Sequence, residues 1–155
     1  MKYLGTVLII FFVATSALYA AETLNRYATI SEMEGEVLVA KSSSENWQKA
    51  EPNAMLVEGD VIKTGPNSSA TILVDENGAA GDILIRENST MKIASLIMNQ
   101  ETADKDTVLD LAIGKVLVHA NKLEGNSNFA VKTPTSMAGV RGTMFEVEVT
   151  EENKE

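Results

Sequence analysis

Apolar and polar residues alternate in short runs along most of this chain, broken about every 10 residues by Gly, Pro, Asn, Asp or Ser. Alternation with period two puts one face of a strand in a core and the other in solvent, so the pattern predicts strands and no helix. The expected strands are 28–33, 36–41, 54–57, 61–64, 69–74, 83–86 and 90–93, the last extending toward Met98. Residues 108–113 and 115–119 read as a strand–glycine–strand unit around Gly114. A run from Phe129 stops at Thr133-Pro134, where proline cannot donate to a ladder and biases its predecessor toward extended geometry. A short linker, a tight turn at 139–143 and a last strand, 144–149, follow. Polar stretches at 42–46, 99–106 and 121–128 are expected surface loops, and Asn77-Gly78 is a hairpin signal lengthened by 79–81. Such spacing predicts an all-β fold, a β-sandwich of jelly-roll character. A short β-solenoid is the alternative, disfavoured because no strict repeat runs along the chain.

The N-terminus breaks this pattern. Lys2 precedes an apolar run, 7–14, and small residues end at Ala20-Ala21. This is the order of a secretory signal peptide, and the apolar run is short for a bilayer span of about 20 residues. The expected organisation is a signal peptide at 1–21 cut near Ala20/Ala21, an all-β domain at 22–150 and a charged tail at 151–155. The protein is then exported to the periplasm or beyond, and the membrane is a partner only if the segment stays uncleaved. Six residues precede the apolar run, so no cytoplasmic domain is expected in either case.

Composition narrows the function. The 155 residues suit one domain. Cysteine is absent, which removes disulfides and thiolate chemistry. A net charge of −9 repels phosphate backbones, and only 5% of residues are aromatic, so nucleic acid is not an expected partner.

No constellation for catalysis stands out. His119 is the sole histidine and has no partner at a recognisable spacing, so a strand-end surface position is expected. The acidic stretch 75–82 fails the spacing of a calcium loop. Two acids from distant strands could meet as a glycan hydrolase pair, the lowest-ranked reading here. Arg141, between Gly139 and Gly142, could clamp a carboxylate but is expected to pin a turn. Trp47 could be a sugar platform and is expected at the core or its rim. No phosphate loop, nucleophile elbow or zinc helix occurs. The expectation is a protein without cofactor, metal or enzymatic activity.

Several segments, in order, resemble one family. The stretch Thr133-Pro134 followed by Val140-Arg141-Gly142-Thr143-Met144-Phe145 is similar to the hallmark ending of the FecR-type periplasmic domain. Trp47 followed by Gly59-Asp60 resembles an earlier block of that family, and the strands around Gly114 another. Together these cover about Ser31 to Val149. The family's best-known form reads an outer-membrane transducer and signals through a membrane helix to a cytoplasmic anti-sigma segment, for which this chain has no expected room. The resemblance implies an all-β fold, the bacterial envelope and binding to an envelope protein, with a role in envelope sensing. Its motif residues here are Trp47, Gly59, Asp60, Gly114, Thr133, Pro134, Val140, Arg141, Gly142, Thr143 and Phe145, structural or partner-binding. Carbohydrate binding, to peptidoglycan or capsule, is the alternative function. Family members often continue past this ending, so strand 144–149 is expected to leave a sheet edge uncovered, guarded by alternating glutamates.

Overall fold

The computed structural model describes residues 23–42, 44, 46–140 and 142–154. The signal segment and its cleavage point lie outside the described residues, as does Arg141.

Alternating burial runs through β-strands such as 28–34, 61–64, 69–74, 81–85 and 144–149, as the sequence pattern requires. The strands are β1 (Thr23–Asn25), β2 (Ala28–Glu34), β3 (Val37–Ala40), β4 (Trp47–Lys49), β5 (Met55–Leu56), β6 (Val61–Thr64) and β7 (Ser69–Val74). After a short turn at Glu76–Gly78 come β8 (Gly81–Ile85), β9 (Thr90–Asn99), β10 (Lys105–Ala120), β11 (Asn128–Lys132), β12 (Met137–Val140) and β13 (Met144–Val149). In β7, Ala70, Ile72 and Val74 are buried and the residues between them are not. The fold is all-β, as expected.

The strands form one continuous sheet curled into a half-barrel, whose two layers face a common core. One layer runs β4-β3-β6-β9-β10-β11-β12, with β1 beside the end of β9. The other runs β5-β2-β7-β8-β10-β13. Ile62, Met91, Ile93 and Leu111 of the first layer and Ile30, Ile72, Ile83 and Val118 of the second belong to the same buried cluster. All these pairings are antiparallel except β10 with β11, so the coil of a solenoid is not what forms.

β10 belongs to both layers and must therefore bend. Straight, its sixteen residues would span about 50 Å. The next strand, β11, starts level with Asp106, near the beginning of β10. The connecting loop, 121–127, reaches about 28 Å at most. Only a curled β10 lets the loop close. The curl falls at Gly114, which has φ +98°. Before it the buried positions of β10 are Thr107, Leu109 and Leu111; after it they are Val116, Val118 and Ala120. The side facing the core has switched parity, as the extra residue Ala112, between Leu111 and Ile113 in the ladder with β9, requires.

Three details differ from expectation. Gly114 stays inside one strand, because the bulge two residues before it turns the ladder without interrupting it. The stretch after Thr133-Pro134 is not a plain linker: 137–140 folds back on β11 as a hairpin, satisfying backbone groups that β11 would otherwise leave open. The loop expected at 99–106 is shorter, since β9 and β10 zip further toward it.

Candidate functional site

Most motif residues sit at corners of the sheet, where the backbone does something a plain strand cannot. Asp60 is buried and accepts from the backbone N–H of Ser42 at 2.9 Å and of Val57 at 3.0 Å. Lys41 Nζ adds a charged hydrogen bond at 2.8 Å. One carboxylate thus ties the β3–β4 loop to the β5–β6 turn. The neighbouring Gly59 has φ +92°, and a Cβ there would lie 2.5 Å from Ser42 Cβ. The Gly-Asp pair holds two turns together.

Gly114 packs against Ser89 at the bend between layers. A Cβ on Gly114 would sit 2.4 Å from Ser89 Cα. Ser89 Oγ accepts from Lys115 N at 3.0 Å, and Thr64 Oγ1 accepts from Ser89 N at 3.0 Å while donating to Arg86 O at 2.6 Å. This polar knot satisfies the groups that the bend takes out of the ladder.

At the hallmark ending, Thr133 and Pro134 form the β11–β12 turn. Thr133 Oγ1 accepts from Ser136 N at 3.0 Å, and Thr133 N donates to Ser136 O at 2.8 Å. Val140 pairs with Phe129 through the backbone. Gly142 crosses the loop after β10, where a Cβ would come within 2.9 Å of Lys122 Cα. Thr143 O accepts from Ala120 N at 3.1 Å, which starts the pairing of β13. Phe145 packs partly buried against the core. Among the described residues, the motif positions are spread over several corners and are not gathered into one cleft.

What the ending leaves is an edge. β13 pairs with β10 and, among the described residues, with no other strand. The 120–143 bond sets the phase of the ladder: Phe145, Val147 and Val149 bond toward β10, so the N–H and C=O of Met144, Glu146 and Glu148 point outward. Those three side chains are also the exposed ones. Lys115 Nζ lies 3.2 Å from Glu148 and 3.4 Å from Glu146. The hydrogen bond to Glu148, then the charge of Glu146, raises the Lys115 pKa above its ordinary value. Beside this trio opens a groove of about 780 Å³, reaching Glu34, Asn67, Arg86 and Gly114.

The other candidates resolve simply. His119 stands exposed near the end of β10, as expected, with Nδ1 3.1 Å from Asp82 Oδ1. Among the described residues no group of His, Asp and Glu side chains is arranged to hold a metal. Trp47 differs from expectation: it is 45% exposed, because β4 is an edge strand and the indole lies on the outer side of the sheet.

Sequence reasoning missed a buried ionic node. Arg26, between β1 and β2, reaches Asp75 Oδ1 with Nε at 2.7 Å. Its Nη1 donates to Thr107 Oγ1 at 2.9 Å and to Asp106 O at 3.2 Å, and Lys105 Nζ reaches Asp75 Oδ2 at 2.7 Å. Asp75 sits at φ +65°, just past the end of β7. Burial acts to raise the Asp75 pKa; the hydrogen bonds and charges of Arg26 and Lys105 outweigh it and hold the pKa below the usual aspartate value. The node joins the start of β10 to the end of β7, closing the side of the half-barrel away from Gly114. No sequence pattern signals it, since Arg26 and Asp75 are 49 positions apart.

The chain matches the family described as FecR protein over residues 60–155. No curated protein and no solved structure matches it. The matched stretch starts at Asp60, yet β2 and β3, which precede it, pair with β7 and β6 inside it.

Proposed function

We propose, from the premise that this chain belongs to the FecR family, that it is a non-catalytic binding or scaffolding module of the bacterial envelope. The family context is regulatory and periplasmic, and the reading is that this protein takes part in envelope sensing by contact with another protein. The contact is strand addition along β13. The observation that carries this is the row of outward backbone groups on Met144, Glu146 and Glu148, with no strand beside them among the described residues. An extended segment of a partner would bond there, gaining affinity from the main chain and specificity from alternate side chains. Phe145 and Val147 would favour apolar residues on the inner side; Glu146 and Glu148 would favour basic ones outside.

The test uses proline. At Glu146 the lost N–H faces the open edge, so Glu146→Pro blocks addition and spares the β10 ladder. A photo-crosslinker at Thr150, installed in cells, should trap an envelope protein in the native background and lose it with Glu146→Pro. Trapping that is indifferent to Glu146→Pro, with the fold intact by circular dichroism, would count against strand addition.

A further inference from the structure

We propose that the outer face of the β4-β3-β6-β9-β10-β11-β12 layer binds an acidic polysaccharide, a chain bearing repeated carboxylate or phosphate groups. This surface is separate from the β13 edge. Register builds it. Trp47, Ala40, Val61, Lys92, Asp110, Lys132 and Met137 stand opposite one another, one from each successive strand. Lys49, Leu38 and Lys63 form a parallel row two residues further along β4, β3 and β6. Residues paired across strands share a face, and the intervening Val37, Val39, Ile62 and Met91 are buried, so both rows lie on the outer side of the sheet, where the small Ala40 is itself covered.

Four lysines lie on this face: Lys49, Lys63, Lys92 and Lys132. All are exposed, and none makes an ion pair among the described residues. That is unexpected in a chain of net charge −9, where acids are plentiful. Asp110 is the acid of the longer row, between Lys92 and Lys132. Lys49 and Lys63 are two strands apart, as are Lys92 and Lys132, which spaces each pair by about 10 Å. The half-exposed indole of Trp47 adds a flat apolar plate beside them, with Lys63 Nζ 5.9 Å from its centroid.

These parts fit one kind of ligand. A lysine is a mobile point charge, suited to anionic groups repeated along a chain rather than to one planar group. An indole stacks on the apolar face of a sugar ring with the ammonium groups left free for its acids. The face is the outside of a curled sheet, so a flexible chain can follow it where a flat bilayer would touch a part. Nucleic acid is opposed by the scarcity of stacking partners, since the rows of this face carry one aromatic, Trp47, among the described residues.

The test measures binding of the purified protein to polygalacturonate, with neutral dextran and phosphatidylglycerol vesicles as the other arms. Polygalacturonate should bind, weaken with added salt, and exceed dextran by at least tenfold. The double variant Lys63→Glu/Lys92→Glu should lose about tenfold or more, in line with what two cations contribute at an anionic surface, and Trp47→Ala should lose severalfold. If the reversal variant misfolds by circular dichroism, Lys49→Gln/Lys132→Gln reads the same face. Glu146→Pro should leave this binding unchanged, which separates it from strand addition. Equal affinity for dextran, or polygalacturonate binding untouched by the lysine variants, overturns the proposal. So does binding to the vesicles without binding to polygalacturonate, which would assign the face to lipid.

Discussion

The two layers share a core and a strand, and they differ on the outside. Solvent-facing positions of the β3–β6–β9 layer carry Lys49, Lys63, Lys92 and Lys132. Those of the β2–β7–β8 layer and β13 carry Glu32, Glu34, Asp82, Glu146 and Glu148. Inside, both layers present the same kinds of residue: Ile62, Ile93 and Leu111 against Ile30, Ile72 and Ile83. Burial leaves little choice at inward positions, because an unpaired polar group there costs free energy. Outward positions have no such constraint, so charge can be sorted between faces without altering the fold. Both layers also end in edge strands bearing charge, Lys49 on β4 and the glutamates on β13, which discourages indiscriminate pairing.

Some contacts serve both layers and others serve one. The Arg26–Asp75–Lys105 node joins them, so its loss should have the largest effect. Asp75→Ala leaves a buried guanidinium without its carboxylate and is expected to cost about 3–5 kcal/mol in denaturant unfolding. A loss below about 1 kcal/mol would mean that the core alone holds the layers together.

Proline in β13 tests one layer. Val147 bonds toward β10, so Val147→Pro should cost about 3 kcal/mol, while Glu146→Pro, on the open side, should stay within about 1 kcal/mol of the native protein. A larger cost for Glu146→Pro than for Val147→Pro would show that the phase of the ladder is the reverse. At the bend, Gly114→Ala should cost about 2–3 kcal/mol, since the new Cβ would meet Ser89 backbone at a positive φ. Gly139→Ala, whose Cβ would find its nearest neighbour at 4.0 Å, should be within about 0.5 kcal/mol and serves as the control.

Acid should loosen the node more gently. The Asp75 pKa is held below its ordinary 3.8, so the folded state favours the ionised form. Its contribution is complete above the unfolded value and is lost as pH falls through the lower folded value. Unfolding midpoints should therefore drop below about pH 4, and Asp75→Asn should remove that part of the slope. A native slope unchanged by Asp75→Asn would place the acid sensitivity elsewhere. The smallest effect is expected for Lys115→Gln, which removes two surface ion pairs and should leave the unfolding midpoint unmoved.

Much of the fold was legible because its signals are local. Alternation located β2, β3, β6, β7, β10 and β13, and Gly59, Gly114 and Thr133-Pro134 marked real corners. The roles were less legible. Nothing local says that Asp60 bonds Val57, three residues back, and Ser42 and Lys41 from another strand's end. β1 and β12 escaped notice because three or four residues carry too little periodicity without knowing what they pair with. Trp47 was expected near the core because indoles usually are, and nothing local said that β4 would be an edge.

Period-two patterning and turn chemistry act over a few residues, and so the amino-acid order alone sets a series of short strands with fixed inner faces. Tertiary structure alone decided that lysines from β4, β6, β9 and β11 share a face, that Arg26 meets Asp75, and that β13 ends beside open space among the described residues. Those outcomes depend on register between distant strands and on the bend of β10 at Gly114. Both are set by how the whole core packs, which no short window of sequence contains.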